Sequence, residues 1–141
     1  MPHLLDTCAL SEMVQAKPNS KVTGYLSALP NSETFVSAVS IGEILYGIEL
    51  LPLSAKRKRL EDWYTQWVLP SFRDHILPND LAVMEIWGPL MARLERRGLK
   101  MQVKDSLIAA CALAANLTLI TRNETDFANC GVKVINPWAI T

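Results

Sequence analysis

The sequence predicts an α/β fold built on a mainly parallel central sheet of four to five strands with helices on both faces. Two observations carry that prediction. Apolar segments alternate with amphipathic ones along the whole chain, and the apolar segments are short and continuously hydrophobic rather than alternating, as buried parallel strands are. A chain of 141 residues with 50% hydrophobic content is read as one domain, residues 1–141, with a core that needs no disulfides. Three cysteines, Cys8, Cys111 and Cys130, have no metal-ligand or redox spacing and read as reduced core residues. Formal net charge is zero, so any charged site must be local. The N-terminus runs directly into a strand, and no apolar run reaches the roughly 18 residues of a membrane span. A cytoplasmic protein without membrane contact is therefore expected.

Taken in order, His3-Leu4-Leu5 is an apolar run closed by Asp6, and the following "TCALSEMVQ" has helical composition. Residues 20–29 form a helix stopped by Pro30, and "TFVSAVS" has the β-branched content of a buried strand. Ile41, Ile44, Leu45 and Ile48 follow helical spacing, so a helix beginning near Ser40 carries Glu43 in its first turn. A polar helix from Ser54 to about Val68, ended by Pro70, places Trp63 and Trp67 on one face. "DHILP" is a short strand, and "NDLAVMEIWGPLMARLERRG" a long helix with a kink near Gly88-Pro89 and a stop at Gly98. Residues 105–115 are helical, "LTLIT" is a strand, "NETDF" a short turn or helix, and "VKVI" the last strand.

In open α/β sheets ligands bind beyond the carboxyl ends of the strands. Asp6, Glu43, Asp105 and Asp126 can all reach that edge. Each has an ordinary explanation, since Ser40-x-x-Glu43 fits a capping box, Asn123-x-x-Asp126 resembles one, and acids near helix N-termini favour the macrodipole. Jointly, four carboxylates without matching lysines repel, and a bound cation relieves the repulsion. The donor set is oxygen only, which selects Mg²⁺ or Mn²⁺ over Zn²⁺ and suits phosphate chemistry. Thr121 and Asn123 are candidates for orienting water or substrate, with a strand-end hydroxyl and a helix cap as the plain alternatives. Lys56 and Arg57 in the run "KRKR", and Arg93 and Arg97 with Arg96 and Lys100, could hold a polyanion, although a solvated helical face accounts for either cluster. The tryptophans read as core or interface anchors, and the Trp63/Trp67 face or its neighbours as a dimer contact. His3 and His75 read as packing residues.

The stretches "HLLDTCALSE", "VSAVSIGEILYGIELL", "VKDSLIAACALAANLTLITRNETDF" and "VINPW" closely resemble the PIN-domain toxins of bacterial VapBC-type toxin–antitoxin systems, in the branch that includes FitB. The resemblance spans essentially the whole chain, and its most specific part is the block "DSLIAA…LTLITRN..DF". It implies a three-layer α/β/α PIN-like fold and a Mg²⁺- or Mn²⁺-dependent ribonuclease whose acids map onto Asp6, Glu43, Asp105 and Asp126. It also implies a homodimer and a small cognate antitoxin. Cys8 departs from the Asp-x-Asn that more often opens the family. Two rivals remain at this stage. A haloacid-dehalogenase-type phosphatase needs a second acid where Cys8 stands, and a non-catalytic α/β interaction module would use the acids only as helix caps.

Overall fold

A strand of two to four residues has too few hydrogen bonds to stand alone, so the sheet forms where such segments lie side by side with both faces covered. The computed structural model describes residues 1–140. Its sheet contains β1 (His3–Leu5), β2 (Thr34–Ser37), β3 (Ile76–Leu77), β4 (Thr118–Ile120) and β5 (Val134–Ile135), in the order β3-β2-β1-β4-β5. Every pairing is parallel, with His3 opposite Thr34 on one side and Thr118 on the other. The chain steps outward from β1 to β3, then returns to the far side of β1 for β4. This reversal opens a crevice beyond the carboxyl ends of β1 and β4.

The helices are α1 (Thr7–Glu12), α2 (Ser20–Ser27), α3 (Ala38–Leu50), α4 (Ala55–Trp63), α5 (Leu69–Ser71), α6 (Leu81–Arg96) and α7 (Val103–Ala114). Alternate strand residues serve opposite layers. Leu5, Val36 and Ile120 pack with Leu10, Val22, Ile44 and Val68, whereas Leu4 and Leu119 pack with Leu90, Leu94 and Ile108. The run Ile108–Ala112 is wholly buried, its small residues letting α7 lie close against the sheet and carry Asp105 to the crevice. The expected parallel α/β architecture with helices on both faces is the observed one.

Two local expectations are corrected. The helix expected near Ser40 begins at Ala38, because the buried Ser37 ends β2 and caps α3 by accepting the Val39 N–H at 3.1 Å. Ser40 is therefore inside the helix, Glu43 falls in its second turn, and the Ser40–Glu43 capping box does not exist. Pro70 does not end the polar helix. A π-helical turn over Tyr64–Val68, in which Leu69 N–H bonds the Tyr64 carbonyl, joins α4 to α5, and Pro70 sits within α5. The wider turn makes room for a ring that would otherwise meet a carbonyl one turn back. Helix α6 runs from Leu81 to Arg96 with Pro89 inside it.

Candidate active site

Asp6 is the first residue past β1, and its backbone extends the β1–β4 ladder by donating to the Ile120 carbonyl at 2.9 Å. Its side chain is buried, with 4% exposure, and both oxygens are engaged. Oδ1 accepts the Thr7 N–H at 2.8 Å, capping α1, and Oδ2 accepts the Thr121 hydroxyl at 2.7 Å. Thr121, fully buried just past β4, also receives the Asn123 N–H at 3.1 Å. The ends of the two central strands are thus locked by one carboxylate–hydroxyl bond.

Glu43 reaches the same edge from α3. Its Oε1 accepts the Thr7 hydroxyl at 3.0 Å, and the Ser40 hydroxyl lies 2.9 Å from the same Thr7 oxygen. Its Oε2 stands 3.7 Å from Lys104 Nζ. The sequence-level expectation of acids without a matching lysine is corrected here: Lys104, next to Asp105, partners Glu43. Asp105 is half-buried in the first turn of α7. Burial, then the negative charges of Asp6, Asp126 and Glu43, push its carboxyl up to about 6, with Lys104 opposing. Asp126, in the 3₁₀ turn Glu124–Phe127, shares with Asp105 a pocket of ≈ 390 Å³. Asp6, Asp126 and Glu43 thus all lie near enough to Asp105 for their charges to act on it. Asn123 stands exposed at the head of that turn, and its side chain makes no capping bond, so the suggested Asn123–Asp126 capping box is absent.

Helix capping explains only Asp6. Asp105 lies beyond the N-cap position of α7, which Gln102 occupies without a side-chain bond, and Glu43 lies a turn inside α3. The donor chemistry is that of a hard divalent cation, with four carboxylates and neighbouring hydroxyls. Among the described residues no three His, Cys, Asp or Glu side chains are gathered closely enough to hold a metal ion as they stand.

Cys8, where an amide was expected, turns its sulfur into the same corner. Sγ accepts the Arg122 N–H at 3.5 Å and lies 3.6 Å from Thr121 Oγ1 and 3.7 Å from Asp6 Oδ2. Burial, then Asp6, raises its thiol, so it stays protonated and keeps a weak bridging role between the ends of β1 and β4.

The candidate cations separate. Arg57 is committed to Glu49 at 3.1 Å, Glu61 at 3.0 Å and the Leu51 carbonyl at 2.9 Å, so it ties α3 to α4 and is no free phosphate contact. Lys56 shares a ≈ 330 Å³ groove with Thr7 and Glu43. Arg93 and Arg97 are exposed toward the end of α6 and do not border the Asp105–Asp126 pocket, whereas Lys100 does. Sequence reasoning missed Thr7, Ser40 and Lys104. The only available signal was adjacency to Asp6 and Asp105, which says nothing of the partner across the fold. Trp63 packs against the core and stacks on Trp67 at 6.2 Å, which leaves Trp67 36% exposed. His3 is buried in β1, as expected of a packing residue, and its Nδ1 has no hydrogen-bond partner.

Similarity to known proteins agrees with this geometry. A protein-family model described as PIN domain matches residues 3–133. The chain is 33% identical over 135 residues to toxin FitB of Neisseria gonorrhoeae, covering 96% of this chain and 97% of the relative. It is 30% identical over 135 residues to VapC ribonuclease Y4jK of Sinorhizobium fredii, covering 96% of each. The crystal structure of FitAcB from Neisseria gonorrhoeae superposes with a TM-score of 0.90 at 34% identity, covering 97% of this chain and 99% of that one. A match along nearly the whole length, on a fold that gathers the acids at the switch point of the sheet, establishes that this chain belongs to the PIN-domain family.

Proposed function

We propose that this protein is the toxin of a toxin–antitoxin pair, an endoribonuclease that hydrolyses RNA phosphodiester bonds with Mg²⁺ or Mn²⁺ and is held in check by a small cognate antitoxin. The observation that carries the proposal is the placement of Asp6, Glu43, Asp105 and Asp126 along one edge of the sheet, with Asp105 destabilised as an anion by burial and then by the other three. The names of the relatives, toxin FitB and VapC ribonuclease Y4jK, support the same reading.

Asp105 and Asp126, which line an open pocket and have no competing side-chain partner among the described residues, would bind the cation directly with Asp6 and Glu43. When bound, the cation supplies Lewis-acid polarisation of the phosphate and a more acidic water. The rest falls to the chain. Thr121 and the Thr7 N–H hold Asp6 in one orientation, and the Thr7 hydroxyl does the same for Glu43. Lys104 shields part of the charge of Glu43, and Thr121 fixes the start of the loop that presents Asn123 and Asp126. Such preorganisation is what positions a phosphate and water for in-line attack at low entropic cost. Homodimerisation is part of the proposal, supported by the exposed Tyr46 and Leu50 of α3 together with Leu53. No helix among the described residues is long and apolar enough to cross a membrane.

The test is cleavage of total bacterial RNA by antitoxin-free protein with Mg²⁺ or Mn²⁺, against chelator and Asp105→Asn controls. Discrete fragments that vanish in both controls are expected. Equal cleavage by wild type and the Asn variant would assign the activity to a contaminant. Absence of cleavage, in a protein whose melting temperature also ignores Mn²⁺, would favour the interaction-module alternative.

A further inference from the structure

The pocket beside Asp105 and Asp126 has a second wall that the hydrolytic reading leaves unused. The turn between α6 and α7 supplies Leu99, Lys100, Met101 and Gln102, and the segment after β4 supplies Thr125 and Asn129. At ≈ 390 Å³ the pocket falls within the roughly 300–1,000 Å³ of small-molecule sites. Its chemistry is divided. Leu94, Leu99 and Met101 give an apolar surface, the thioether being soft and polarisable, while two carboxamides border the same space. Neither carboxamide has a side-chain hydrogen bond among the described residues, and Gln102 stands at the N-cap position of α7 without capping it. Each amide carries a donor and an acceptor, the complement of a nucleobase edge. Unstacked bases of single-stranded RNA are read in this way, by an apolar or aromatic surface and hydrogen bonds to an exposed edge.

We propose that this pocket is a nucleobase subsite in which Gln102 and Asn129 read the edge of one base next to the scissile phosphate of single-stranded RNA, while Lys100 holds the adjoining phosphate. The assignment rests on the ribonuclease reading above and gives it a source of sequence selectivity. Lys100 forms no ion pair among the described residues, so its charge is available. On the other flank of the acids, a pocket of ≈ 370 Å³ contains Lys104, already paired with Glu43, and has no carboxamide on its lining. The ≈ 330 Å³ groove of Lys56 also carries one amide, Gln15, but it touches Glu43 alone among the four acids, whereas the first pocket borders both Asp105 and Asp126 and carries two amides.

The experiment is cleavage of a single-stranded RNA pool randomised around one position, with Mn²⁺, by wild type, Gln102→Ala, Asn129→Ala and the double variant. Base frequencies on each side of the cut and the overall rate are both read, and circular dichroism verifies that the exposed substitutions leave the fold intact. Wild type is expected to favour one base at a single flanking position. Each substitution is expected to reduce that preference roughly two- to tenfold, the weight of one hydrogen bond, and the double variant to flatten it. A preference profile identical to wild type in the double variant overturns the subsite while leaving the ribonuclease standing. A uniform loss of rate for all four bases also overturns it, since the amides would then position the chain without reading it. No cleavage by wild type overturns the ribonuclease reading and the subsite with it.

Discussion

Replacing Asp105 by Asn removes a charge while nearly conserving shape, and its effect on stability follows from the geometry of the crevice. Burial and three neighbouring carboxylates raise Asp105 from 3.8 to about 6. Because the folded-state value is raised, the carboxyl favours the folded state fully below pH 3.8, and that contribution is lost as pH rises through 6. At about 1.36 kcal/mol per unit the shift corresponds to at most about 3 kcal/mol. Screening of a half-buried group, and the typical 0.3–1 kcal/mol by which the first turn of α7 favours an anion, reduce this to about 1–2 kcal/mol. In chelator at pH 7.5 the Asn variant is therefore expected to melt roughly 3–8 °C above wild type, and the two curves to converge near pH 4. Saturating Mn²⁺, at a hundred times its Kd, adds roughly 2.7 kcal/mol to wild type and less to the variant, so the order narrows or reverses. Scanning calorimetry or dye-based melting across pH 4–8, with and without Mn²⁺, measures all of this. A variant that melts at or below wild type at every pH in chelator refutes the argument that the acids repel one another there.

Other expectations follow from individual contacts. Thr121→Val keeps the volume of a fully buried residue but strips the 2.7 Å donor from Asp6, which should cost about 1–3 kcal/mol in urea unfolding and lower the cleavage rate. Lys56→Ala should lower the slope of log affinity for single-stranded RNA against log salt by roughly 0.7, whereas Arg57→Ala should leave that slope unchanged and lower the melting temperature, because its side chain is spent on Glu49, Glu61 and Leu51. Gly98→Ala should cost roughly 1–2 kcal/mol, read by thermal denaturation. The site has open space around it, so the cost comes only from the backbone, held at φ +68°.

The sheet and the acids were legible because they rest on local patterns. A continuous apolar triplet such as His3-Leu4-Leu5 has no stable place except a buried strand, and an acid directly after it marks the carboxyl edge. The small-residue run after Asp105 similarly announces a helix pressed against a sheet. Boundaries were harder to read. Ser37 and Ser40 are chemically equivalent as caps, and only the fold shows which serine begins α3: Ser37 accepts the Val39 N–H, while the Ser40 hydroxyl meets that of Thr7. Pro70 reads as a stop because the π turn that accommodates it has no signature in composition.

By itself, then, the sequence determined the alternation of elements, the parallel character of the sheet and the placing of Asp6 after β1 and Asp105 in the first turn of α7, since each is set by a pattern over a few residues. The tertiary structure alone decided that β4 returns beside β1, which brings Asp6 under Thr121 and within the field of Asp105 and Asp126. It alone paired Lys104 with Glu43, committed Arg57 to α3, and left Lys100, Gln102 and Asn129 around an open pocket. Those outcomes depend on distances between residues up to 115 positions apart, which are set by the packing of whole layers.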